Sequence, residues 1–261
     1  MNQLAVNNIS LLFSFALVMI AVLISQKEKL ELSKDILFSV LRAVIQLTIV
    51  GYVLKYLFQV NNVVLTASMS FFIVLNAAWN AHKRNPHFIK NYWDSLLAIA
   101  VSTYITMGIL ILSGAIQFIP SQVIPISGMI ASNSMVAIGL CYRNLSSKFH
   151  DQRQQVLEKL ALGATIKQAS QPILRESIKV AMQPTIDSAK TVGLVSLPGM
   201  MSGLIFAGVD PVHAIKYQIM VTFMLLSTTS LGSIIAGYLG YKKYFNEHLQ
   251  FVDAHKKESE V

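Results

Sequence analysis

Apolar runs of membrane length, separated by short basic linkers, constrain this chain more than any other feature. In lipid a backbone satisfies its own hydrogen bonds only as a helix or a closed barrel, and a hydrocarbon core about 30 Å thick takes about 20 residues of helix. The runs fall at about 8–25, 36–58, 63–81, 95–118, 124–141, 191–209 and 211–241. Only 13% of the 261 residues are charged, against about 25% in soluble domains, and mean hydropathy is +0.54. The expectation is an all-α membrane protein of about seven transmembrane helices, a single membrane domain over residues 1–261.

Charge placement orients these helices. No Lys or Arg precedes the first run, whereas Lys27, Lys29 and Lys34 follow it. Basic residues collect on the cytoplasmic side, so the N-terminus is expected outside and the C-terminus in the cytosol, with a tail over 242–261. Of the 21 Lys and Arg, all but Lys55 and Lys216 fall in segments assigned to the cytosol or at their helix ends. The net charge of +8 is therefore topological, and nucleic acid is not needed to explain it. A signal peptide would need a basic start and a small-residue cleavage site, and neither is present. The single cysteine, Cys141, excludes an intrachain disulfide and a cysteine metal cluster.

The longest polar segment, about 142–187, is expected in the cytosol. Val156, Leu157, Leu160, Ala161 and Ala164 recur there at helical spacing, with Glu158 and Lys159 on the other side. Gly163 then breaks the helix, and a second helical stretch returns to the membrane. Such a protrusion suits docking in a groove on another protein; it suits equally a linker lying on the membrane surface.

The stretch 158–165, E-K-L-A-L-G-A-T, resembles the coupling helix of ABC transporter permeases, although Gly163 follows Glu158 by five positions rather than the six of importers. The whole chain more closely resembles the FetB family of iron-export permeases, whose plant relatives are linked to aluminium tolerance. The resemblance rests on R-A-V-I-Q-L-T-I-V-G-Y in the second run, G-M-I-A-S-N-S-M in the fifth, L-A-L-G-A-T, Q-P-T-I-D and L-P-G-M-M-S-G-L-I-F-A-G-V-D-P-V-H-A-I-K-Y-Q. The family's Gly-Asn pair reads Ser132-Asn133 here. The resemblance implies a plasma (inner) membrane exporter subunit, not an enzyme. It would pair with a separate ATP-binding subunit, as two copies of each, and ATP and Mg would sit on that partner. The absence of a G-x-x-x-x-G-K-[ST] phosphate loop agrees with this. Glu158, Leu160, Ala161, Leu162, Gly163, Ala164 and Thr165 would then receive the ATPase's motion.

Candidate pathway residues are Gln46, Asn76, Asn80, Asn133, Met135, Met200, Met201, Asp210 and Gln218. For the Asn and Gln side chains, a hydrogen bond to a neighbouring helix is the plainer reading. Met200 and Met201 are soft thioethers able to guide a metal, and Asp210 is a metal candidate as an outer exit site for a cation; methionine also fills core gaps. Adjacent methionines point about 100° apart on a helix, so at most one faces a pathway. Asp210 before Pro211 equally makes a helix N-cap. Pro198, Gly199, Gly203 and Gly208 read as a close-packing or dimer seam, G-x-x-x-G at its centre. Asp187 and Lys190 read as an ion pair at the start of the sixth helix, and no carboxylate is expected deep in any span.

Two rival functions remain to be weighed. Seven helices with a late lysine, Lys216, also describe a microbial rhodopsin. Lys216 lies too near the outer surface, however, and the two tryptophans, Trp79 and Trp93, sit at the inner boundary. A secondary transporter or channel working without ATP is the stronger competitor.

Overall fold

The structure, a computed structural model, describes residues 8–60, 62–84, 91–246, 248 and 250–252. Its helices are α1 (Asn8–Lys27), α2 (Ser33–Val60), α3 (Val63–Arg84), α4 (Tyr92–Leu112), α5 (Pro120–Asp151), α6 (Arg153–Ala161), α7 (Ile166–Thr191), α8 (Gly199–Phe206) and α9 (Pro211–Gly240), with a 3-10 turn at Tyr241–Tyr244. Among the described residues, extended pairing is confined to two isolated bridges, Val192 with Ser196 and Phe245 with Phe251. The all-α expectation holds. Residues 85–90 of the basic and aromatic stretch after α3, and 253–261 of the expected tail, lie outside the described residues.

Six helices, α1 to α5 and α9, are long and apolar enough to cross a membrane. Large apolar side chains cover their surface, and small hydroxyls are buried among the apolar residues of their interior. Phe13, Leu47, Leu112 and Phe223 are exposed, while Ser102, Ser127, Ser134, Ser177, Thr228 and Ser233 are buried. Lipid is as apolar as leucine, so bundles of this kind gain by close backbone approach and hydroxyl contacts rather than by hiding large side chains. α9 shows the device most clearly. A methyl group on Gly232 would lie 2.5 Å from Ser134 Oγ, one on Gly237 2.9 Å from Leu174, and one on Gly240 2.8 Å from Tyr142.

α5 lies at the centre, packed on α3, α4, α7 and α9. One apolar cluster joins Val123, Ile126 and Ile130 of α5 to Val221 and Met224 of α9 and to Met107 and Leu110 of α4. A second joins Tyr142, Leu145 and Phe149 of α5 to α3, α6, α7, Tyr241 and Tyr244. Phe149 and Tyr244 stack there with ring centroids 4.1 Å apart, and Lys243 pairs with Asp94 at the start of α4. This second end also receives Lys83 and Arg84 from the last turn of α3 and Lys148 from α5; it is the basic end of the bundle.

α5 and α9 therefore run the same way, and the chain between them must climb back along the bundle. The sixth apolar run, expected to do this as one helix over 191–209, does not. It is broken at 192–198, where Gly193 has φ +87°, and α8 covers only 8 residues. Eight residues rise about 12 Å, too short for a crossing. The climb is made by α7, which starts against the basic-end cluster at Ala169 and Ile173. Its polar composition hides it from a hydropathy reading. α5 is also longer than expected: with no breaker after Cys141 the helix continues to Asp151, 32 residues in all. α4 in turn stops at Leu112 rather than 118, ended by Gly114 at φ +71°. The α1–α2 hairpin attaches at the edge, through α2 to α5.

Candidate functional site

At the basic end, α6 and α7 meet in a tight turn. Val156 is buried in the basic-end cluster and anchors α6, while Leu162 at the tip is 87% exposed. Gly163 has φ +88°, a left-handed conformation that costs other residues about 1–2 kcal/mol. Thr165 then caps α7: Gln168 N donates to Thr165 Oγ1, and Thr165 N donates to Gln168 Oε1 at 2.9 Å. This reciprocal capping box fixes the exit direction of the chain. Glu158 points elsewhere, accepting from Gln154 Nε2 at 3.2 Å. The turn is a rigid protrusion with an apolar tip.

The pathway candidates sort into separate places. Gln46, Asn76, Asn80 and Met135 line one open cleft of about 510 Å³ between α2, α3 and α5, together with Arg42 and Arg84. Its lining carries no carboxylate among the described residues. Asn80 Nδ2 donates to Asn76 Oδ1 and Asn76 O, both at 2.8 Å, so this pair binds within α3 and not across to another helix. Asn133 also bonds locally, to Met129 O, and lines a smaller cavity between α5, α7 and α9. The interhelical polar links fall instead to small hydroxyls: Ser102 with Ser134 at 2.8 Å, Thr228 to Thr106 at 3.1 Å and Ser177 to Asn144 at 3.1 Å.

Met200 and Gln218 meet in a third cavity, of about 210 Å³, with Met129, Thr185 and Ser188. Gln218 Oε1 is buried there without a hydrogen-bond partner. Met201 is buried, as the 100° rule requires if Met200 faces a cavity. Asp210 is exposed and caps α9, accepting from Val212 N and His213 N. The structure thus does not gather Met200, Met201 and Asp210 into one site. Pro198 lines the Met200 cavity. Gly199, Gly203 and Gly208 have open space where a side chain would start, so within one chain they pack against nothing. The close-packed glycines, Gly232, Gly237 and Gly240, were signalled by G-S-I-I-A-G-Y-L-G in the last span, which the sequence reading passed over.

A further polar group was misplaced from sequence. Lys190 Nζ and Asp187 Oδ1 are 3.1 Å apart, the expected pair. They stand near the end of α7, however, not at the start of a helix. Thr185 and Ser188, on either side of Asp187, share a cavity with Met129 of α5 and Gln218 of α9, and another with Asn133 and Thr229. Met129 and Asn133 lie about 21 and 15 Å of helix rise above Arg143. Asp187 and Lys190 are thus level with the middle of α5, well above the basic end, whereas the sequence reading set them at the base of the sixth run.

Two charged side chains facing lipid at that depth would cost about 3 kcal/mol each. Residues 8–245 match the profile of the family described as "Uncharacterised protein family (UPF0014)". The chain belongs to this family. It is 62% identical to the "Probable iron export permease protein FetB" of Escherichia coli strain K12, over 97% of each chain. Similarity extends to the "UPF0014 membrane protein YjkA" of Bacillus subtilis, 37% identical over 93% of this chain and 97% of that one. It reaches the plant "Protein ALUMINUM SENSITIVE 3" of Arabidopsis thaliana, 34% identical over 91% and 87%. No solved structure matches. The chain is a multi-pass membrane protein of the UPF0014 family.

Proposed function

We propose that this UPF0014 chain is the membrane-spanning subunit of an ABC-type exporter of iron or another metal cation, driven by a separate ATP-binding subunit that docks on the α6–α7 turn. The observation that carries the reading is the turn itself: an exposed Leu162 on a tip held by Gly163 and the Thr165–Gln168 capping box, projecting from the basic end. A docking element must transmit force, and a flexible linker would not. The relative named as an iron export permease supports the cargo.

In this reading the basic end is cytosolic, the N-terminus is outside and α7 makes the seventh crossing. Two copies of the chain flank the path, and ATP with its Mg binds the partner, which uses the phosphate chemistry this chain lacks. Closure of two ATPases brings the two turns together and reopens the path outward. Replacing Gly163→Trp should leave insertion intact, measured by yield from membranes, while the co-purified ATPase no longer responds to cargo. A Gly163→Trp variant that exports normally with its ATPase would show that the turn does not couple.

A further inference from the structure

α7 carries a polar stripe along its exposed side: the adjacent Arg175 and Glu176, then Lys179, Gln183, Asp187 and Lys190 at steps of three or four residues. The lower part lies near the basic end, where charge is expected. The upper part does not, because Asp187 stands level with the centre of α5 and yet remains about half exposed, its side chain at 54% and that of Lys190 at 65%. Among the described residues nothing covers it, and lipid cannot. The Asp187 carboxylate is held from both sides, with Gln183 Nε2 donating to Oδ1 and Oδ2 at 2.9 Å and Lys190 Nζ to Oδ1 at 3.1 Å.

We propose that this face of α7 lines a water-filled passage between two copies of the chain, and that Asp187 is the carboxylate that receives a divalent cation there. The occupant opposite is a second copy. A stripe of mixed sign is self-complementary about a two-fold axis: Asp187 of each copy faces a partner that presents the same acid and the same base. The site is incomplete in one chain. Among the described residues no three His, Cys, Asp or Glu side chains converge, whereas two copies supply two Asp187 carboxylates, oxygen donors suited to a hard or borderline cation. Lys190 neutralises Asp187 when the passage is empty, and the arriving cation displaces its ammonium group. The inference rests on the permease reading and does not need the ATPase.

The test uses the full-length chain in lipid nanodiscs, with ferrous ion alone as probe under anaerobic conditions. Asp187→Asn should weaken ferrous binding by about tenfold or more, while Lys190→Gln should tighten it, because the competing ammonium is gone. Opposite signs separate a binding pair from a structural one, in which both variants would lower thermal stability and neither would tighten binding. In a Cys141→Ala background, Asp187→Cys and Gln183→Cys should react with a membrane-impermeant charged thiol reagent, and Asp187→Cys should cross-link into dimers. Reaction only with a lipid-soluble reagent, or ferrous binding unchanged in Asp187→Asn, would overturn the proposal. If those results hold while Gly163→Trp still exports normally, the coupling assignment fails and this one stands.

Discussion

Asp187 and Thr165 show how differently single residues read in sequence and in structure. The N-cap role of Asp210 was legible, because Asp followed by Pro is a local signal and capping needs nothing beyond the first turn. The pairing of Asp187 with Lys190 was legible for the same reason, being an i,i+3 contact. Its depth was not, since depth depends on where α7 lies against α5 and α9. Thr165 makes the sharpest local prediction. Thr165→Ala removes the acceptor for Gln168 N and should lower stability by about 1 kcal/mol, seen as a lower unfolding temperature in detergent. Gly163→Ala should cost a similar amount, about 1–2 kcal/mol, through its left-handed backbone alone. If neither substitution moves the unfolding temperature, the turn is not the rigid element described.

Elements were legible where their composition was pure. The first three runs and the last became α1, α2, α3 and α9 with boundaries shifted by a few residues, since an apolar run of membrane length has one outcome in lipid. The sixth run failed for a physical reason. Gly193, Pro198 and the short α8 break the apolar segment, while the helix that climbs the bundle, α7, is polar on one face and apolar on the other. A hydropathy window averages the two faces and misses it. Close packing within the chain falls on Gly232, Gly237 and Gly240, while Gly199 and Gly203 have open space around them, because a glycine spacing does not say which face meets a neighbour. Gly240→Val places a branched side chain against Tyr142 and should destabilise the chain by about 1–3 kcal/mol. Gly203→Val enters open space and should leave the unfolding temperature of the single chain unchanged. Equal losses from both would mean that α9 does not pack on α5 as closely as described.

At the scale of the whole molecule, parallel α5 and α9 with α7 packed antiparallel on both give one end that is basic and carries the α6–α7 turn, and a middle where a charged pair stands exposed. In the mechanism we propose these two features belong together: energy enters at the turn, travels along α7, and acts where its polar face meets a second copy. Gln46, Asn76, Asn80 and Met135, four of the pathway candidates, line the large cleft, but beside Arg42 and Arg84 they form a surface without a carboxylate among the described residues. The cation site we propose falls on a helix that the sequence reading had placed in the cytosol up to residue 187. The most direct measurement is ferrous uptake into inside-out membrane vesicles carrying the chain and its ATPase, with and without ATP. The account predicts uptake that requires ATP, disappears in Gly163→Trp at equal membrane content, and is strongly reduced in Asp187→Asn. Uptake of the same rate without ATP, or full ATP-driven uptake in Gly163→Trp, would contradict it.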